Sequence, residues 1–160
     1  MPRSRPGALR ARQTPGSPSR TRTRTREEPQ PERIPGLSAR TSLAIHRVEH
    51  EHAGFHVFRG STERALHRYH AFVTTPGRRI LYPRTAVCPA CPGCAFDDVR
   101  HARDVLDEIL PLLPPRPRAE LARTIKTLDR RYLHRTLPDP RVPPTAPWWH
   151  HRLAEGAEGW

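Results

Sequence analysis

The sequence predicts a small α+β domain built from short β-strands, a cysteine knuckle and a C-terminal helical hairpin, with a disordered arm ahead of it. Three observations carry that expectation. Leu, Ile, Val and Phe number 30 among the 160 residues, and 25 of them lie within residues 41–137, so a core of domain size is expected only there. Within that span, one short apolar run bounded by glycines has the look of a strand, whereas two longer stripes with spacings of three and four have the period of helices. Between them sit all three cysteines, Cys88, Cys91 and Cys94, in the run Cys-Pro-Ala-Cys-Pro-Gly-Cys.

Residues 1–40 contain seven prolines and ten arginines against Glu27, Glu28 and Glu32, a net +7 of the chain's +12. So little apolar area leaves nothing to offset chain entropy, and the segment reads as a disordered arm. Phe55 to Arg59, following Gly54 and ending at Gly60, reads as a strand paired with Leu43 to Val48. Ser61 or Thr62 then caps a helix running to about Ala71, although His67, Tyr69, Ala71 and Val73 also alternate as a strand would. A Pro76-Gly77 turn leads into a short strand from Arg79 to Tyr82. After the cysteines, Asp97 or Asp98 caps a helix with Val99, Ala102, Leu106, Ile109 and Leu113 on one stripe, stopped by Pro111 and Pro114-Pro115. A last helix starts near Pro117 and aligns Leu121, Ile125, Leu128 and Tyr132, so the two stripes are expected to face each other as a hairpin. Residues 138–160 form a Pro/Trp-rich tail, whose Trp148 and Trp149 are too apolar to leave in water and should dock on that hairpin.

The cysteines carry the chemistry. Thiols three residues apart on proline- and glycine-restricted turns converge on one small volume, as a zinc knuckle requires. A fourth donor is needed for a tetrahedral site, and His101, seven residues after Cys94 and one turn into the next helix, is the expected one. The predicted metal set is therefore Cys88, Cys91, Cys94 and His101, with His67, His70, Asp97 and Asp98 as competitors. Cys88, Cys91, Cys94 and Asp98 also follow the spacing of a ferredoxin cluster, but no second cysteine set supports it. Cys88-x-x-Cys91 has the form of a redox pair, but Pro92 is expected to disturb the helix that such a pair precedes.

Charge and composition narrow the partners. A mobile arginine arm binds phosphate through counterion release without reading bases, so nucleic acid is an expected partner, held through residues 1–40. A protein partner anchored on Trp148 and Trp149 is the other. No stretch is apolar enough to span a bilayer, no secretory leader is present, and the chain reads as cytoplasmic, with reduced thiols. No phosphate-binding glycine loop, Gly-x-Ser-x-Gly elbow or His-Glu-x-x-His pair occurs, so nothing in the sequence points to a catalytic set.

The stretch Leu128-Asp129-Arg130-Arg131-Tyr132-Leu133, Thr136-Leu137-Pro138-Asp139-Pro140 and Pro147-Trp148-Trp149 resembles the C-terminus of uncharacterised actinobacterial hypothetical proteins. That resemblance covers about a sixth of the chain and implies neither an activity nor functional residues. The functional expectation is accordingly a zinc-stabilised interaction or nucleic-acid-binding accessory protein. A metal-free helical scaffold for a protein partner stands second, and a thiol redox enzyme third.

Overall fold

The computed structural model describes residues 32–156. They form helices α1 (Ala39–Glu51), α2 (Ser61–Val73), α3 (Pro92–Ala95), α4 (Val99–Leu112) and α5 (Pro115–Arg135), followed by a 3-10 turn, Trp148–His150. The arm predicted over residues 1–40 falls largely outside the described residues, as does Trp160.

The expected α+β class is corrected to all-α, because the described residues contain no strand. Their only β-type pairing is an isolated antiparallel bridge between Pro138 and Arg152. Leu43 to Val48 lies inside α1, whose inward positions are Thr41, Ser42, Ile45, Val48 and Glu49. Those positions keep a helical period, but three of the five are polar. The Phe55 run is a folded loop instead of a strand: Gly54 N–H donates to the Val57 carbonyl (2.6 Å) and Ser61 N–H to that of Phe58 (2.9 Å). It plugs the core with Val57, 1% exposed. Arg79 to Tyr82 is not a strand, and its Leu81 N–H donates to the Arg135 carbonyl of α5 (2.7 Å).

α4 is the central helix. Val99, Ala102, Val105, Leu106 and Ile109 are all buried, as are His101 and Arg103, so more than one face is covered. Its most extensive contact is with α2, while α5 packs against α1, α2 and α4. The anticipated hairpin is thus one side of a larger helical packing. Pro111 sits in the last turn of α4, which ends at the next residue, so the helix has little left to disrupt beyond it. Arg118 of α5 donates to the carbonyls of Pro111 (2.6 Å) and Leu113 (2.8 Å), which lie at the helix end where intrahelical donors run out.

Two buried or half-buried carboxylates pair groups from different helices. Gly60 is the N-cap of α2, with φ +81°, and has no side chain to cap with. Glu49 of α1, 1% exposed, supplies the missing acceptor to the N–H groups of Gly60 and Thr62, both at 2.8 Å. A carboxylate suits that position because the N-terminal N–H groups and the helix dipole both favour negative charge. Asp129 of α5 accepts from Tyr69 of α2 (2.8 Å) and from Arg103 of α4 (3.0 Å), and burial followed by the Asp129 charge pushes the Tyr69 hydroxyl far above its ordinary range.

The core extends ahead of residue 41, since Ile34 and Leu37 are each 1% exposed within it. Ser38 caps α1 and, with Thr41, donates to Glu120 of α5. At the other end Trp149 is buried, and its Nε1 donates to Asp104 (2.7 Å) while its carbonyl accepts from Tyr132 (3.0 Å). The Arg103 guanidinium lies 4.2 Å from a Trp149 ring centroid. Trp148, 37% exposed, retains an open ring face. No helix among the described residues is long and apolar enough to cross a membrane.

Candidate metal centre

The segment between the turn after α2 and the start of α4 has little regular structure, and its backbone is shaped by proline and sulfur. Cys91 is the N-cap of the single-turn α3, with its Sγ accepting from Cys94 N–H (3.1 Å) and Pro92 at the first helical position. Pro92 therefore starts a helix where the sequence suggested it would disturb one, because the first helical position has no N–H bond to forfeit. Two further backbone bonds, Asp97 N–H to Cys94 carbonyl (2.9 Å) and Asp98 N–H to Ala95 carbonyl (3.1 Å), close the turn before Asp98 caps α4.

α2 braces this turn from the side. Arg64 donates to the Gly93 carbonyl (2.9 Å), and Arg68 donates to those of Phe96 (2.9 Å) and Asp97 (2.7 Å). The Arg64 guanidinium also sits 4.8 Å from the Phe96 ring centroid. Neither arginine stood out in the sequence, because their spacing along α2 is that of any solvated helix face. Phe96 and Ala95 are buried beneath the turn, each 3% exposed, and anchor it to the core.

The geometry brings three of the four expected ligands together. Ligand atoms of Cys88, Cys91 and Cys94 all lie within 4.8 Å of one another. Tetrahedral zinc with bonds of ~2.3 Å places its sulfurs roughly 3.8 Å apart, so closing the set requires shifts of about 1 Å or less. His101 is not among the converging groups. Its ring lies edge-on to Phe55, His56 and Phe96, with centroids 5.7, 5.1 and 5.1 Å away, and its Nε2 is buried without a hydrogen-bond partner. Burial, then the neighbouring His56, holds its pKa below the usual histidine value.

Of the competitors, Asp98 is engaged, His67 and His70 are placed elsewhere, and Asp97 stays close to the thiols. Asp98 accepts from Arg100 N–H (2.8 Å) and from its guanidinium (2.7 to 3.1 Å), which leaves the ferredoxin-like set without its fourth member. His67 and His70 line a cavity of about 550 Å³ with Ile34, Gly36 and Leu128. Asp97 is exposed and near enough for its charge to act on Cys94.

The thiols influence one another strongly. Hydrogen bonds from the Cys94 thiol and then the Cys94 N–H stabilise the Cys91 thiolate and lower its pKa. Cys94 is pushed up to about 11, first because its proton is committed to Cys91 and then because that charge repels its own. Such mutual dependence suits a shared metal site, since a bound cation favours all three thiolates. Comparison with family models, curated proteins and solved structures finds no match for the chain.

Proposed function

We propose that Cys88, Cys91 and Cys94 hold one zinc ion, and that this helical protein acts as a binding accessory whose metal fixes a surface turn for a partner, with nucleic acid as the partner class. The convergence of three sulfurs within 4.8 Å carries the reading. Thiolate-rich sets select zinc or other soft ions over magnesium and calcium, and zinc does not require an oxidation-state change to be useful in a structural role. The bound ion supplies a cross-link between three backbone positions in a segment that has few buried side chains of its own. The fourth position falls to water, to the exposed Asp97 or to a donor from a partner, because Asp98 is occupied by Arg100 and His101 is held among aromatic rings.

The nucleic-acid part rests on the chain's net charge of +12, delivered almost wholly by arginine, whose planar guanidinium suits phosphate. Native mass spectrometry with elemental analysis, on untagged protein prepared without chelator, tests the metal. The expected result is one zinc per chain, lost in Cys91→Ser and retained in His101→Ala. Since folded thiolate sites bind zinc tightly, less than about 0.2 zinc per chain rejects the proposal. Loss of zinc in His101→Ala returns that histidine to the ligand set.

A further inference from the structure

Away from the cysteines, the loop after α2 and the C-terminal half of α5 line a groove of about 1060 Å³. Its charged lining is Arg78, Arg130, Arg131, His134 and Arg135, and no acidic side chain lines it. Arg135 is committed to the scaffold: it donates to the carbonyls of Thr75 (2.5 Å) and Arg79 (3.1 Å), pinning the loop to the helix. Arg78, Arg130 and Arg131 are exposed and take part in none of the ion pairs among the described residues.

The acids that would neutralise such a cluster are used elsewhere. α5 carries only Glu120 and Asp129, and both point their oxygens at other helices. Glu120 accepts from Ser38 and Thr41, and Asp129 accepts from Tyr69 and Arg103. The outer face of α5 is left with Arg123, Lys126, Arg130 and Arg131, all exposed and in sequence leading to the groove. Uncompensated guanidinium groups around a concave surface raise the local potential and attract polyanions.

We infer that this groove binds the phosphodiester backbone of nucleic acid. The inference deepens the nucleic-acid part of the proposed function and does not depend on the metal. Guanidinium groups pair with phosphate oxygens through two parallel N–H bonds, and the three available ones belong to two separate elements, so they can contact successive phosphates. The lining includes no Phe, Tyr or Trp and offers His134 as its one ring, so contacts to phosphate outweigh contacts to bases and the binding is tolerant of sequence. The groove's volume lies at or above the ~300–1,000 Å³ typical of small-ligand clefts, which favours a polymer over a free phosphate ion.

The test compares two full-length variants with equal loss of charge: Arg78→Gln/Arg130→Gln/Arg131→Gln in the groove and Arg22→Gln/Arg24→Gln/Arg26→Gln near the N-terminus. Fluorescence anisotropy with labelled 20-base duplex and single-stranded DNA is measured across a salt series, with circular dichroism confirming that helix content is unchanged. The groove variant is expected to bind on the order of tenfold or more weakly at ~100 mM salt, with the log–log salt slope reduced by about 2 to 3 on the duplex. The control should lose less. Equal losses in the two variants overturn the inference while leaving nucleic-acid binding intact. Failure of the unsubstituted chain to bind either DNA removes both the groove and the nucleic-acid reading. Displacement by millimolar inorganic phosphate at constant ionic strength makes it a free-phosphate site, and tighter binding of polyglutamate than of DNA makes it a peptide site; either outcome overturns the inference as stated.

Discussion

The C-terminal tail and the cysteine turn meet, through the Glu155 N–H bond to the Pro83 carbonyl (2.8 Å) and the Arg84–Glu155 ion pair, and both are poor in regular structure. They are held in opposite ways. The tail places Trp149 against α4 and α5 with its indole N–H and its carbonyl satisfied, and Arg152 donates to Thr136 Oγ1 (2.7 Å) and the Leu133 carbonyl (3.0 Å). The cysteine turn instead leaves Cys88, Cys94 and Val87 in solvent, Val87 at 98% exposure. Free cysteine is ordinarily among the most buried residue types, and here Cys88 and Cys94 are exposed and Cys91 half-buried, so packing does not account for the group. Irregular backbone can be fixed either by one large buried side chain, as at Trp149, or by a cross-link, as the proposed zinc ion would supply at the cysteines.

Removing the buried anchor gives the largest effect that separates the two. Trp149→Ala discards a large buried ring and leaves Asp104 short of a donor, a loss of roughly 3 kcal/mol or more. For a domain of this size that corresponds to a fall in melting temperature on the order of 10 °C. Trp148→Ala, which removes a half-open ring, should cost far less. If calorimetry shows equal shifts for the two, the tail is not held by Trp149 and the contrast between the two regions fails.

Metal removal should act on the other region alone. With zinc chelated, the amides of Cys94, Asp97 and Asp98, which are hydrogen bonded within the turn, are expected to exchange faster with solvent hydrogen. Amides inside α4 and α5 should keep their protection. Uniform loss of protection across all helices would show that the turn and the core form one cooperative unit, since separable units open independently.

The smallest effect concerns the entry to α1. Hydrogen bonds from Thr41 and then Ser38 hold the Glu120 carboxyl below the usual carboxylate range. A depressed folded pKa contributes stability above the unfolded value of ~4.3, and that contribution is lost as pH falls through the folded value. Thermal unfolding should therefore shift to lower temperature below about pH 4.3, and Glu120→Gln should flatten this dependence while leaving the Trp149 contribution untouched. An identical acid profile in the variant would show that other carboxylates carry the dependence.

Three helices were legible because their inward faces are apolar at helical spacing, as with Leu121, Ile125, Leu128 and Tyr132 of α5. α1 was not, because Thr41, Ser42 and Glu49 occupy inward positions and become compatible with burial only through partners distant in sequence. Ser42 accepts from Ile34 N–H (3.1 Å), and Glu49 caps α2. Hydropathy cannot register a carboxylate whose donors come from another helix. The Phe55 run shows the opposite error: Val57 is buried and Phe58 packs against the core from a loop, so a short apolar run does not by itself require a strand. At the candidate site, close spacing and proline placed the three thiols together. The separation between Cys94 and His101 said nothing about direction, and the position of His101 on α4 turns its ring towards Phe55 and Phe96.

Arg103 carries a consequence for synthesis. It is 6% exposed, and the groups that make its burial tolerable, Asp129 and the Trp149 ring, are translated after it. While a ribosome is still making α5, the only acid paired with this guanidinium is Asp107 (3.3 Å), one turn on in α4 and itself exposed, and burying the charge with that partner alone costs several kcal/mol. Water is the better solvent for that charge until residue 129, and then residue 149, has emerged. α4 should accordingly dock late in vectorial folding, and stalled nascent chains ending before residue 129 should remain open to protease around Arg103.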